Sequence, residues 1–141
     1  MLRCPAMTKT REDVERILES RERFFTSLDD GTIMIPLAPE QAPAMLRVEP
    51  PVVLLQVNIG EPTFDSDASA AAFYRRLLEL NATGLLHASY GIEAGHVVLS
   101  SALELENLDA NELEAALADL ALALVEHIPS LRQMALAVTK G

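Results

Sequence analysis

The stretch Val52-Val53-Leu54-Leu55-Gln56-Val57-Asn58-Ile59 is short, rich in β-branched residues and almost continuously apolar. A strand with so little polar alternation belongs in the middle of a sheet. Gly60 and Pro62 are expected to close it. Downstream, Asp65-Ser66-Asp67 supplies cap residues and early negative charge for a helix. Its stripe is Ala70, Phe73, Leu77 and Leu80, flanked by Tyr74 and Leu78, and Gly84 stops it. A hairpin follows, with Leu86, Ala88, Tyr90 and Ile92 on one face and a turn at Glu93-Ala94-Gly95. His96 to Leu105 returns with Val97, Leu99, Leu103 and Leu105 on one side. The final helix opens at Asp109 and Glu112 and runs through Leu113, Leu117, Leu120 and Leu124. Pro129 lacks an amide proton and is expected to kink or break it, after which Leu131, Met134, Ala135 and Val138 resume the period.

Upstream, Met45 to Val48 reads as a short strand stopped by Pro50-Pro51, and Pro39 and Pro43 mark a loop. Thr32 to Leu37 reads as another strand, at an edge because of Pro36. An amphipathic helix is expected from Thr10, with Val14, Ile17, Leu18, Phe24, Phe25 and Leu28 on one face and Asp29-Asp30-Gly31 ending it. Residues 1–9 fit no pattern that follows and are expected to be a disordered or tag-like N-terminus, with Met7 a second candidate initiator. Residues 10–141 then form a single α+β domain of order α-β-β-β-α-β-β-α, one antiparallel sheet packed by helices.

Composition narrows the function. Of 141 residues, 11 are Lys or Arg and 21 are Asp or Glu, for a net charge of -10. Such a chain repels phosphate backbones, so nucleic acid is not an expected partner. The lone Cys4 excludes an internal disulfide and a cysteine-cluster zinc site. No apolar run approaches the ~20 residues that span a bilayer, and no signal-peptide core precedes the first charges. The expected location is cytoplasmic, with no membrane partner.

No catalytic motif emerges. His87, His96 and His127 lack metal-ligand spacing. Ser100-Ser101 with His96 and Glu104 invites a triad, but neighbouring strand residues point to opposite faces and no GxSxG elbow is present. The glycines form no phosphate loop. Asp65-Ser66-Asp67 lacks the remaining ligands of a calcium loop, and capping explains it. Glu104, Glu106, Asp109, Glu112 and Glu114 read as a solvated helix start. No cofactor or metal is expected, and no enzyme activity.

Surplus apolar surface is the remaining signal. Phe73, Tyr74, Leu77, Leu78 and Leu80 exceed a narrow core stripe, which favours a contact with another subunit. The last helix, Leu- and Ala-rich on more than one side, is read equally as deep core or as a second contact.

Over Thr10 to Val138 the element order resembles the type III secretion chaperone-like superfamily, which includes the Tir-chaperone and YbjN-like proteins. The local signature is the strand VVLLQVNIG followed by FYRRLLELNATGLLHASYGIEAGHVVLSSALEL, where an LLxxN helix end (Leu77, Leu78, Asn81) precedes a hairpin and an acid-capped helix. Small size and a pI near 4.6 are similar too. The resemblance implies a non-enzymatic homodimer that holds an extended client segment. It places client contacts at Val14, Ile17, Phe24, Phe25, Ile33, Ile35 and Met45, and the dimer contact at Phe73, Tyr74, Leu77 and Leu78. The proline-rich stretch from Pro36 to Pro51 and Pro129 depart from the pattern. A YbjN-like regulatory protein and a small-ligand-binding module remain the alternative readings.

Overall fold

In the computed structural model, residues 9–139 are described. The expectation for the N-terminal stretch falls outside these residues, apart from Lys9. Helix α1 (Arg11–Ser20) starts at a closed capping box: the Asp13 amide donates to Thr10 Oγ1 at 3.3 Å, and the Thr10 amide donates to Asp13 Oδ2 at 2.9 Å. It ends at Ser20, eight residues before Leu28. Glu22 turns to φ +54° and the Arg23 amide donates back to the Leu18 carbonyl at 3.0 Å. The Arg23 guanidinium then grips both Glu114 carboxylate oxygens, at 3.1 and 2.8 Å. This tertiary fork outweighs the helical period that Phe24, Phe25 and Leu28 continue.

Short strand β1 (Thr26–Ser27), absent from the sequence reading, follows, then β2 (Ile33–Ile35), β3 (Ala44–Glu49) and β4 (Val52–Thr63). Neither Gly60 nor Pro62 stops β4. Gly60 adopts φ +126° at a bulge where the register to the neighbouring strand shifts. Beyond it β4 pairs with a different strand, with Pro62 opposite Val138. Helix α2 (Asp67–Thr83) is capped by Ser66, whose Oγ accepts from the Ser69 amide at 3.1 Å. The hairpin β5 (Ser89–Glu93) and β6 (His96–Glu104) turns at Ala94 and Gly95, both at positive φ. Helix α3 (Ala110–Gln133) passes unbroken through Pro129. Pro129 and Val125, the residue whose carbonyl it leaves unpaired, both lie on the exposed side, where water can serve that carbonyl. Val138 belongs to a final strand, β7 (Ala137–Thr139), rather than to a resumed helix.

Every pairing is antiparallel: the sheet order is β1-β2-β3-β4-β6-β5, with β7 beside the far end of β4. Strand alternation divides the side chains into two sets. Ile33, Ile35, Leu46, Val53, Leu55, Val57, Val97 and Leu99 join Val14 and Leu18 of α1, Phe73, Leu77 and Leu80 of α2, and the row Leu113 to Leu131 of α3 in one core. The fold is a single α+β domain with its helices serving one face of the sheet.

Candidate functional site: an uncovered sheet face

The central place of VVLLQVNI agrees with the sheet order, and the face of the sheet turned away from the helices lies outside the core. By register, Met34 lies opposite Met45, Met45 opposite Gln56, Leu54 opposite Ala102, and Asn58 opposite Val98. Met34, Met45, Leu54 and Ala102 lie outside the core, the first three half-buried and Ala102 exposed, while Val98 on the same face is buried at 8% exposure. Together these residues form a discontinuous apolar band across four strands. The polar pair Gln56 and Ser100 crosses its middle, and Arg47, Glu93 and His96 lie around it. Gln56 Nε2 donates to Glu93 Oε2 at 2.8 Å, and His96 Nδ1 lies 3.3 Å from Asn58 Oδ1. A shallow cavity of about 330 Å³ lies among Met45, Gln56, Glu93, His96 and Val98. Two unbranched methionine side chains make such a band adaptable to differently shaped partners.

A second open feature lies where α1 gives way to β1. Phe24 is 75% exposed beside a cavity of about 530 Å³ that also involves Arg21, Arg23, Pro36 and Glu114. The Arg23 hydrogen bonds hold the Glu114 carboxyl below its ordinary value, so this ion pair persists at neutral pH. A third cavity, of about 510 Å³, has Ile59, Leu124 and Ile128 in its wall and Glu40 and Arg132 exposed at its rim. It is open, and its charged groups are not buried as an enclosed reactive pocket requires.

The residues expected to bind a client do not share one surface. Val14, Ile33 and Ile35 have no exposed area and belong to the core. Ile17 and Phe25 are half-buried against it. Phe24 and Met45 reach the surface at different places, because the early end of α1 carries Phe24 away from the helix face. In the expected dimer contact, Phe73 and Leu77 are also core residues. Tyr74 is half-buried in an aromatic cluster, 5.7 Å from Phe64 and 5.5 Å from Phe73 between ring centres. Leu78 alone stands well clear, 68% exposed. Leu54, Val98, Met34 and Ala102 were not anticipated. For Leu54 the signal was the missing polar alternation in VVLLQVNI, a stretch that does not include the other three.

Polar side chains finish the edge of the sheet. Asn81 lies in the LLxxN helix end. Its Nδ2 donates to the Tyr90 carbonyl at 3.0 Å, and its Oδ1 accepts from the Tyr90 amide at 2.6 Å. One side chain thus imitates a neighbouring strand and blocks the β5 edge at that residue. The Tyr90 hydroxyl lies 2.8 Å from Nδ1 of buried His127. Burial raises the Tyr90 hydroxyl pKa and lowers that of His127. Among the described residues no carboxylate is hydrogen-bonded to this pair, and no group of three His, Cys, Asp or Glu could hold a metal ion. Ser101 is buried and Ser100 faces the other side, as strand alternation requires. Among the described residues, no helix is long and apolar enough to cross a membrane.

The family model CesT_Tir_1 matches residues 7–137. The chain belongs to that family. The fold resembles that of YbjN from E. coli, with a TM-score of 0.65 and 11% identity, covering 94% of this chain and 99% of that one. A chain of the ExoU–SpcU complex from the type III secretion system of Pseudomonas aeruginosa gives 0.62 and 17%, covering 87% and 98%. A chain of the ExsC–ExsE complex gives 0.57 and 22%, covering 90% and 97%. At these identities the likeness establishes the fold. No curated protein sequence matches the chain. The CesT_Tir_1 match agrees with the superfamily resemblance carried by the strand-helix-hairpin segment, and YbjN shares the same architecture.

Proposed function

We propose that this CesT_Tir_1 protein is a non-enzymatic, cytoplasmic, homodimeric chaperone or adaptor that holds an extended segment of a client protein. The observation that carries this reading is the group of accessible apolar residues Met34, Met45, Leu54 and Ala102 on a sheet face outside the core. Client side chains anchor there and at Phe24, while open strand edges offer main-chain hydrogen bonds. Ile17 and Phe25 contribute their exposed parts. Val14, Ile33 and Ile35 act from beneath by fixing the sheet. The subunit contact uses the outer face of α2, with Leu78 at its centre and Tyr74 beside it. Two of the similar solved structures are complexes of two different proteins, which agrees with a partner-binding role. The net charge of -10 keeps an apolar dimer soluble and favours basic clients.

A pull-down of the tagged protein, compared with Leu54→Ser and Phe24→Ser, tests client capture. A client recovered by the unmodified chain and lost with these variants supports the proposal. A copurifying small molecule with no protein would point instead to a ligand-binding module. Partners that are regulators rather than exported proteins would favour the YbjN-like alternative, which the near-complete coverage of YbjN keeps in view. Sedimentation at roughly tens of micromolar, well above a ~1 μM dissociation constant, tests the dimer. A monomer there removes that part of the reading.

A further inference from the structure

Helix α3 carries a second apolar stripe on the side facing away from the core. Ala115, Ala118, Leu122, Val125 and Pro129 are all exposed, Leu122 and Val125 by 56% and 55%. Their spacing alternates three and four residues, the a and d positions of a heptad seam. The stripe is about 21 Å long at 1.5 Å per residue. The His87 amide donates to Asp119 Oδ2 at 3.2 Å and so places the neighbouring Leu86, 84% exposed, alongside its middle. One flank is a row of carboxylates at seven-residue spacing, Glu112, Asp119 and Glu126. The other flank at corresponding positions holds Glu114, already paired with Arg23, then Ala121 and Ile128.

This charge pattern selects the occupant. Two copies of α3 packed antiparallel would set one carboxylate row against the other. Packed parallel, each row would face Glu114, Ala121 and Ile128, which offer no positive charge. We propose that the outer stripe of α3 docks an amphipathic helix of a second protein, one whose apolar seam is flanked by lysine or arginine. Leu122, Val125 and Leu86 supply the anchors. Ala115 and Ala118 let the incoming backbone approach closely, and the Glu112-Asp119-Glu126 row sets register and orientation. This surface is separate from the sheet band and from Leu78, so it adds a binding site to the function proposed above.

The test uses the full chain and two labelled synthetic helices of about three heptads, with leucine at a and d and either lysine or glutamate at the flanking positions. Fluorescence anisotropy should show saturable binding of the lysine peptide and at least roughly tenfold weaker binding of the glutamate peptide. The double variant Leu122→Ser/Val125→Ser keeps every charge and changes only exposed positions. It should weaken the lysine peptide by roughly tenfold or more while melting and sedimentation stay unchanged. Equal affinity for that variant would reduce the binding to non-specific attraction by an acidic protein and overturn the proposal. A fall in sedimenting mass of the variant would overturn it too, by assigning the stripe to a second copy.

Discussion

Asn81 and His127 show how single side chains settle the packing of this fold. Asn81 holds both backbone groups of Tyr90, so Asn81→Ala strands a part-buried amide and carbonyl. We expect a loss of about 1–3 kcal/mol, measured by urea denaturation. His127 is buried beside the Tyr90 hydroxyl, and that burial lowers its pKa below the ordinary 6.5, opposed by Glu126 and assisted by Arg76. The unfolded chain therefore binds a proton that the folded chain resists. The stability tied to this ring is complete above about pH 6.5 and is lost as pH falls through the lower folded value. Melting followed between pH 7.5 and 5.5 should show a steeper decline for the unmodified protein than for His127→Gln. Parallel declines would show that other groups control acid sensitivity.

Helices α2 and α3 carry their own expectations. Leu78 is exposed on α2 and Leu77, next to it, is buried. Leu78→Asp should leave melting within about 0.5 kcal/mol of the unmodified protein and convert the proposed dimer to monomer by sedimentation. Leu77→Asp should instead unfold the chain, since it buries an unpaired carboxylate. In α3, Pro129 sits inside a continuous helix on its exposed side. Pro129→Ala restores the missing amide and should raise stability by about 1–3 kcal/mol, seen as a higher melting temperature. A lower one would mean that the helix is fitted to the proline. The sequence period located both helices, and it could not tell that Pro129 would be tolerated, because tolerance depends on which side of the helix faces water.

For the whole molecule, the legible part was whatever local chemistry dictates: apolar spacing, caps at Thr10, Ser66 and Asp109, the turn at Ala94-Gly95, and the central position of VVLLQVNI. These gave the α+β class, one antiparallel sheet and the element order, short of the two small strands β1 and β7. Long-range pairing decided the rest. The Arg23–Glu114 fork across 91 residues ends α1 early and moves Phe24 to a different surface from Met45. The bulge at Gly60 carries β4 past its expected end to meet β7. Apolar residues look alike in a sequence whether a core or a partner covers them, so Val14, Ile33 and Ile35 could not be told there from Met45. The sequence alone determined where the apolar faces lie along each helix and strand. Only the tertiary structure decided which of them close on the core and which stay open, because burial depends on the neighbours that distant segments bring to each face.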